Sequence, residues 1–201
     1  LYALSCERMA RIATALGESS DAEAWRERQR KAAVAINAQC FNETAGAYAD
    51  GPASSHCAQH NSIFALAAGI VPRERVPRVL EFVISRGMAC SVYGAQWLLE
   101  ALYLQDAADA ALDLLLATHD RSWWNMMLQG GTLTWEAWDW RYKNNLDWNH
   151  AWAAAPLNIA ARYLLGVQVA APGGCELEIR PQPGRLRRIA GRVPTLKGYV
   201  E

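Results

Sequence analysis

The chain has 201 residues, with 20 Lys+Arg against 20 Asp+Glu and a formal net charge of zero. That length suits one sizeable domain, or one domain with part of another. A zero balance without a basic stripe argues against a nucleic-acid binder, and no apolar run approaches the roughly 18 residues of a membrane span, so the expected partner is neutral or weakly charged and met in water.

The chain opens at Leu1-Tyr2-Ala3-Leu4 without an initiator Met and already in helical rhythm, which reads as a cut into a larger protein. Residues 2–17 predict a helix ending at Gly17. Ser20-Asp21-Ala22-Glu23 has capping-box spacing and opens a second helix, expected to run to about Phe41 with Trp25, Ala32, Ile36 and Cys40 on one face. A loop rich in Gly, Asn and Pro follows, over 42–55. Helices then recur in pairs, at about 57–69, 73–86, 92–104 and 107–117, with Ser54-Ser55 ahead of the first and Asp106 capping the last. The short connections make neighbours antiparallel. Helix 92–104 (Val92, Tyr93, Trp97, Leu98, Leu99, Leu102) is apolar enough to be an inner helix.

After a tryptophan-rich loop, a further helix is expected from about Ala153 to Leu165, with Pro156 confined to its first turn. From 173 to 201 the polar and apolar residues alternate with the period of a strand, and the change falls near Pro172. Some thirty residues are too few to close a sheet. The expected fold class is therefore mainly α: helical hairpins of an α/α toroid over 1–172, then the first strands of a truncated β-domain over 173–201. Cys6, Cys40, Cys57, Cys90 and Cys175 are scattered without a CxxC pair, which speaks against a disulfide framework.

Seven of the nine tryptophans fall between Trp123 and Trp152, around Gly130-Gly131-Thr132-Leu133-Thr134-Trp135-Glu136. Sugars supply one reason for such crowding, because the C–H face of a pyranose stacks on indole while its hydroxyl rim needs hydrogen bonds. A carboxylate among indoles is also desolvated, which raises its pKa and suits it to proton transfer. The other reading is an aromatic core with Glu136 incidentally nearby. Two or three of the seven indoles are expected to face substrate, with Met126-Met127 filling core. Asp139 and Asp147 either hold a sugar hydroxyl or cap a turn. His56 and His60 are spaced as a metal pair, but no third ligand is evident, so neither metal nor cofactor is expected.

Three stretches resemble the C-terminal part of the catalytic domain of glycoside hydrolase family 78, the α-L-rhamnosidases. Gly94-Ala95-Gln96-Trp97-Leu98-Leu99-Glu100-Ala101-Leu102 is similar to the family's Gly-Thr-Pro-aromatic-Leu-Leu-Glu-Ala-Leu helix. Ser122-Trp123, with Trp135-Glu136 thirteen residues on, resembles its Ser-Trp…Trp-Glu run. Arg162-Tyr163-Leu164-Leu165-Gly166-Val167, followed by Glu178-Ile179-Arg180-Pro181-Gln182-Pro183-Gly184, resembles its passage from barrel to β-domain. The resemblance implies the second half of an (α/α)6 barrel and an inverting hydrolase of terminal α-L-rhamnosyl residues. It implies Glu136 as general base, His150 as a sugar contact, Trp123 as a pocket indole and Gln59 at the barrel mouth; Trp135, Trp138 and Asp139 are expected as further substrate contacts from the crowding of indoles and carboxylates itself. The general acid would lie upstream, leaving this piece inactive alone. Ala95-Gln96 in place of Thr-Pro, and a short stretch between Glu136 and His150, depart from the family and bear on which substrate is taken. Two alternatives stay open: another α/α-toroid sugar hydrolase, or a non-catalytic carbohydrate-binding protein of the same fold.

Overall fold

The computed structural model describes residues 1–201, which divide into two compact units, Leu1–Gly87 and Met88–Glu201. In the first, α1 (Tyr2–Ala15) and α2 (Ser19–Gln39) form a helical hairpin. α1 closes in a tight turn in which the Gly17 N–H donates to Thr14 O and the Glu18 N–H to Ala13 O. The chain therefore re-enters a helix at once, with Glu18 as N-cap and no side-chain cap; the expected Ser20 cap does not form. The stripe Trp25, Ala32, Ile36 and Cys40 is half-buried.

The stretch expected to be loop begins with an antiparallel pair, β1 (Phe41–Asn42) and β2 (Ala47–Tyr48). A second helical pair follows, α3 (Gln59–Ala67) and α4 (Val76–Ser85). Ala58, not a serine, stands at the N-cap of α3, because the Ser54 hydroxyl is used locally to accept the His56 N–H at 3.1 Å. Tyr48, Ile63, Leu66, Val79 and Val83 form the core of this unit. Burying side chains of this size contributes about 1.5–3 kcal/mol each.

In the second unit, α5 (Val92–Leu104) is capped by the Ser91 hydroxyl, which accepts the Gly94 N–H at 3.2 Å. α6 (Ala108–Leu115) has Ala107 as N-cap. Asp106 does not serve, since it takes a left-handed turn at φ 56° and its carboxylate accepts from Arg180 Nη2 at 2.7 Å. Inside the tryptophan-rich stretch lies a helix that sequence reading missed, α7 (Trp123–Leu128), with Ser122 as its cap. α8 (Ala155–Ile159) carries Pro156 in its first turn, as expected, and continues as a π-helical turn to Leu164. Leu98, Leu99, Leu102, Ile159 and the stacked rings of Tyr103 and Tyr163 (5.0 Å apart) make the core.

The extended pattern starts before Pro172. β3 (Val167–Val169) pairs antiparallel with β4 (Leu177–Ile179), and β5 (Val193–Thr195) with β6 (Gly198–Val200). The turn from α8 into β3 depends on Gly166, at φ +74°, whose carbonyl accepts the Arg180 N–H at 2.9 Å. A Cβ there would lie 2.1 Å from the Arg180 carbonyl carbon. No side chain can yield to relieve that contact, because the obstacle is backbone. Gly166→Ala is expected to destabilise by about 3–5 kcal/mol, combining left-handed strain with overpacking. Gly130→Ala, also left-handed but with open space around its Cβ, should cost only about 1–2 kcal/mol. Urea unfolding midpoints measure the difference, and equal losses would show that the close approach at Gly166 is unimportant.

Candidate functional site

The segment between α7 and α8 holds Glu136 and most of the tryptophans. Two of its stretches run side by side. The His150 N–H donates to Thr134 O at 2.8 Å, the Thr134 hydroxyl donates to His150 O at 2.8 Å, and the Glu136 N–H donates to Asp147 O at 3.0 Å. The chain between them is anchored by Asp139, which is 1% exposed. Its carboxylate accepts from the backbone N–H, Nε and Nη2 of Arg141, from Asn125 Nδ2 and from Gln129 Nε2, at 2.7–3.1 Å. Hydrogen bonding from Arg141, above all, holds this carboxyl far below the usual carboxylate range.

Trp135 is fully buried, with its ring 4.5 Å from that of Trp148. A Cβ on Gly131 would come within 2.7 Å of Trp135 Nε1, so the indole requires a glycine there. Trp138 is also buried; its Nε1–H donates to Cys90 O at 2.7 Å and its ring meets that of Trp123 edge-on at 5.0 Å. Trp135, Trp138 and Asp139, expected to touch substrate, thus present almost no surface to solvent. The indoles pack within the loop, and the carboxylate spends its lone pairs on Arg141, Asn125 and Gln129.

Trp123 and His150 do meet at one cavity, of about 500 Å³, lined also by Met127, Leu133, Thr134 and Asn149. The Trp123 Nε1–H donates to Ala153 O at 2.6 Å, which fixes the indole. His150 accepts the Trp152 N–H at 3.3 Å, with the two rings 4.3 Å apart. Asp147 caps a turn by accepting the Asn149 N–H at 3.0 Å.

Glu136 is not on the lining of that cavity. Its side chain is 17% exposed, with Oε1 paired to the Lys143 ammonium and Oε2 accepting the Asp147 N–H at 3.4 Å. Lys143 holds the carboxyl below its usual range and outweighs the desolvation that opposes it; the Asp147 N–H and His150 add to the lowering. The expectation of a raised pKa is therefore corrected. Trp135 packs inward, and a lysine from the far side of the loop faces the carboxylate.

Gln59 lies in the first unit. It is buried, with Nε2–H donating to Val83 O at 2.9 Å and to Gly87 O at 2.8 Å, while its Oε1 has no partner. His56 is bonded to Asp50 at 2.7 Å, and no group of three or more His, Cys, Asp or Glu side chains converges as metal ligands would. Sequence reading missed Lys143, Arg141, Asn125 and Gln129. The Asp139-x-Arg141 spacing was the one available signal, since an aspartate capping a turn commonly meets the residue two positions on.

Lys143→Met is expected to raise the Glu136 carboxyl pKa toward the ordinary glutamate value of about 4.3. Carboxyl-carbon NMR titration of the chain reads this, and an unchanged value would remove Lys143 as the cause. Because the folded pKa is the lower one, the pair's contribution to stability is complete above the unfolded value and is lost as pH falls through the folded value. The variant should lose that acid-side dependence. Asp139→Asn should cost about 2–4 kcal/mol by leaving Arg141 without its carboxylate, measured by urea unfolding.

The family model for the bacterial α-L-rhamnosidase six-hairpin glycosidase domain matches residues 1–164. Among solved structures, the chain resembles the α-L-rhamnosidase from Dictyoglumus thermophilum, with TM-score 0.81 at 20% identity over 98% of this chain and 23% of that one. A glycoside hydrolase family 78 rhamnosidase of Bacillus sp. GL1 gives TM-score 0.81 at 25% identity, over 98% and 22%. An α-L-rhamnosidase from Aspergillus terreus gives 0.74 at 20%, over 89% and 22%. The chain thus spans less than a quarter of the length of these proteins. No curated protein sequence matches it. Its helices are those of a six-hairpin, (α/α)-type glycosidase fold, followed by short antiparallel strand pairs. The chain belongs to the bacterial α-L-rhamnosidase six-hairpin glycosidase domain family.

Proposed function

We propose that this chain forms the second half of the catalytic barrel of an inverting hydrolase that removes terminal α-L-rhamnosyl residues, with Glu136 as general base. In such a reaction a water oxygen bonds to the anomeric carbon as the glycosidic bond breaks. The base takes the water's proton, and an acid on the opposite face protonates the leaving oxygen, across roughly 6.5–9.5 Å. The observation that carries the reading is that Glu136 is held ionised, by Lys143, beside the stretch in which Thr134 and His150 line a cavity walled by Trp123. A carboxylate offers about four lone-pair sites, so the contacts to Lys143 and Asp147 leave room for a water proton. Trp123 would stack on the sugar and His150 would accept or donate to a hydroxyl. The indoles Trp135 and Trp138 and the Asp139 carboxylate position the loop. The acid is assigned to residues outside this chain, and residues 173–201 to the start of a β-domain.

A second reading also has an observation behind it. Glu136 is engaged in an ion pair and lies off the cavity wall, as suits a carbohydrate-binding relative that keeps the fold without turnover. One variant separates the two. In the full-length protein, Glu136→Gln should reduce kcat for an aryl α-L-rhamnoside at least 1,000-fold, about 4 kcal/mol of barrel-site chemistry, with the sugar Kd changed less than about fivefold. Unchanged kcat would make Glu136 structural. The isolated 201-residue chain should show no turnover of the same substrate, and genuine activity from it would relocate the acid.

A further inference from the structure

We infer that the cleft between α5 and α8 is a second sugar subsite, which takes a neutral pyranose ring in the leaving group. The inference rests on the reading of the adjoining cavity as the place of the cleaved rhamnosyl unit. The cleft has a volume of about 440 Å³, within the usual range for small-molecule sites, and is lined by Tyr93, Gln96 and Trp97 of α5 with Trp152, Asn158 and Arg162. The three α5 residues share one face because they stand three and four positions apart.

Its chemistry is that of a sugar cradle. Within this chain Tyr93 and Trp152 are half exposed, with rings 5.7 Å apart and tilted by 58°, so two apolar faces contribute to its lining. Polar groups of fixed geometry share the lining with them. Gln96 Nε2–H donates to Asn158 Oδ1 at 3.1 Å, and Arg162 Nη1–H reaches the same oxygen at 3.3 Å. These contacts leave the Gln96 carbonyl and the Asn158 amide N–H groups for hydroxyls of a ligand. Arg162 does not make the cleft an anion site, because its Nη2–H donates to the buried Glu100 carboxylate at 3.0 Å and the pair is neutral together. A neutral polyol with one apolar face meets all of these groups.

The cleft also adjoins the first cavity. Ala151 and Ala154 line both, and the Trp152 ring stands 4.3 Å from that of His150. A ring held against Trp152 would be joined to one held beside His150 as successive units of one saccharide are.

The test uses the full-length enzyme with two substrates, a rhamnosyl-glucose disaccharide and α-L-rhamnosyl fluoride, whose leaving group has no ring to occupy the cleft. Tyr93→Ala and Gln96→Ala should each raise KM for the disaccharide about tenfold, the loss of one ring stack or a pair of hydrogen bonds. Their kcat should hold, and KM for the fluoride should stay within about twofold. Tyr93→Phe, which keeps the ring, should retain the parent KM. Equal changes for both substrates, or none, would overturn the subsite. Melting temperatures identify a variant that has merely lost its fold, in which case Tyr93→Leu replaces Tyr93→Ala. Without turnover of either substrate, the same split is read as Kd by calorimetry with the disaccharide and with L-rhamnose. Failure of the Glu136 reading shows up separately, as turnover that survives Glu136→Gln.

Discussion

The buried carboxylate of Asp139 is the constraint on which the loop between α7 and α8 depends. An ionised group out of water is tolerated only when its lone pairs are met. Here Arg141 meets them from the loop itself, while Asn125 and Gln129 meet them from α7 and the turn just after it. The requirement thereby ties a long, irregular connection to a short helix. With the chain between them held by Asp139, the pairing of Thr134 with His150 and of Glu136 with Asp147 aligns the loop's two stretches. The indoles of Trp135 and Trp138 then fill the space beneath, where Gly131 admits one and the Cys90 carbonyl orients the other.

Electrostatics at Glu136 follow from the same folding of the loop. Desolvation by aromatic neighbours and attraction to an ammonium act in opposite directions on a carboxyl group. Lys143 prevails because its ammonium makes direct contact, while the carboxylate keeps some exposure to water. A base with a lowered pKa stays ionised over the whole working range of pH, at the expense of proton affinity. In the proposed reaction the ion pair thus favours availability of the base over its strength.

Much of the secondary structure was legible in the sequence, because helical period and breakers are local. The pairs around 57–86 and 92–117, Pro156 in a first turn, and strands beyond the last helix all have near-neighbour causes. Caps were less legible. Ser20 and Asp106 have the right chemistry for caps, yet the turn at Gly17 and the pull of Arg180 on Asp106 decided otherwise. α7 was hidden because bulky aromatics obscure a helical period, although Ser122 stood where a cap should. The motif running from Ser122-Trp123 to Trp135-Glu136 pointed to the family, and the match over residues 1–164 bears that out.

The sequence by itself determined helical hairpins, the change to strands and family membership, since each is written in residue types a few positions apart. Tertiary structure alone decided which of the crowded aromatic and acidic side chains are walls and which are mortar. Trp123 and His150 reach a cavity, whereas Trp135, Trp138 and Asp139 are enclosed. It also decided the charge environment of Glu136, through a lysine that local patterning does not associate with it. The physical reason is one of range. Propensity and periodicity act between neighbours along the chain, but desolvation and ion pairing depend on whatever distant segment the fold brings alongside.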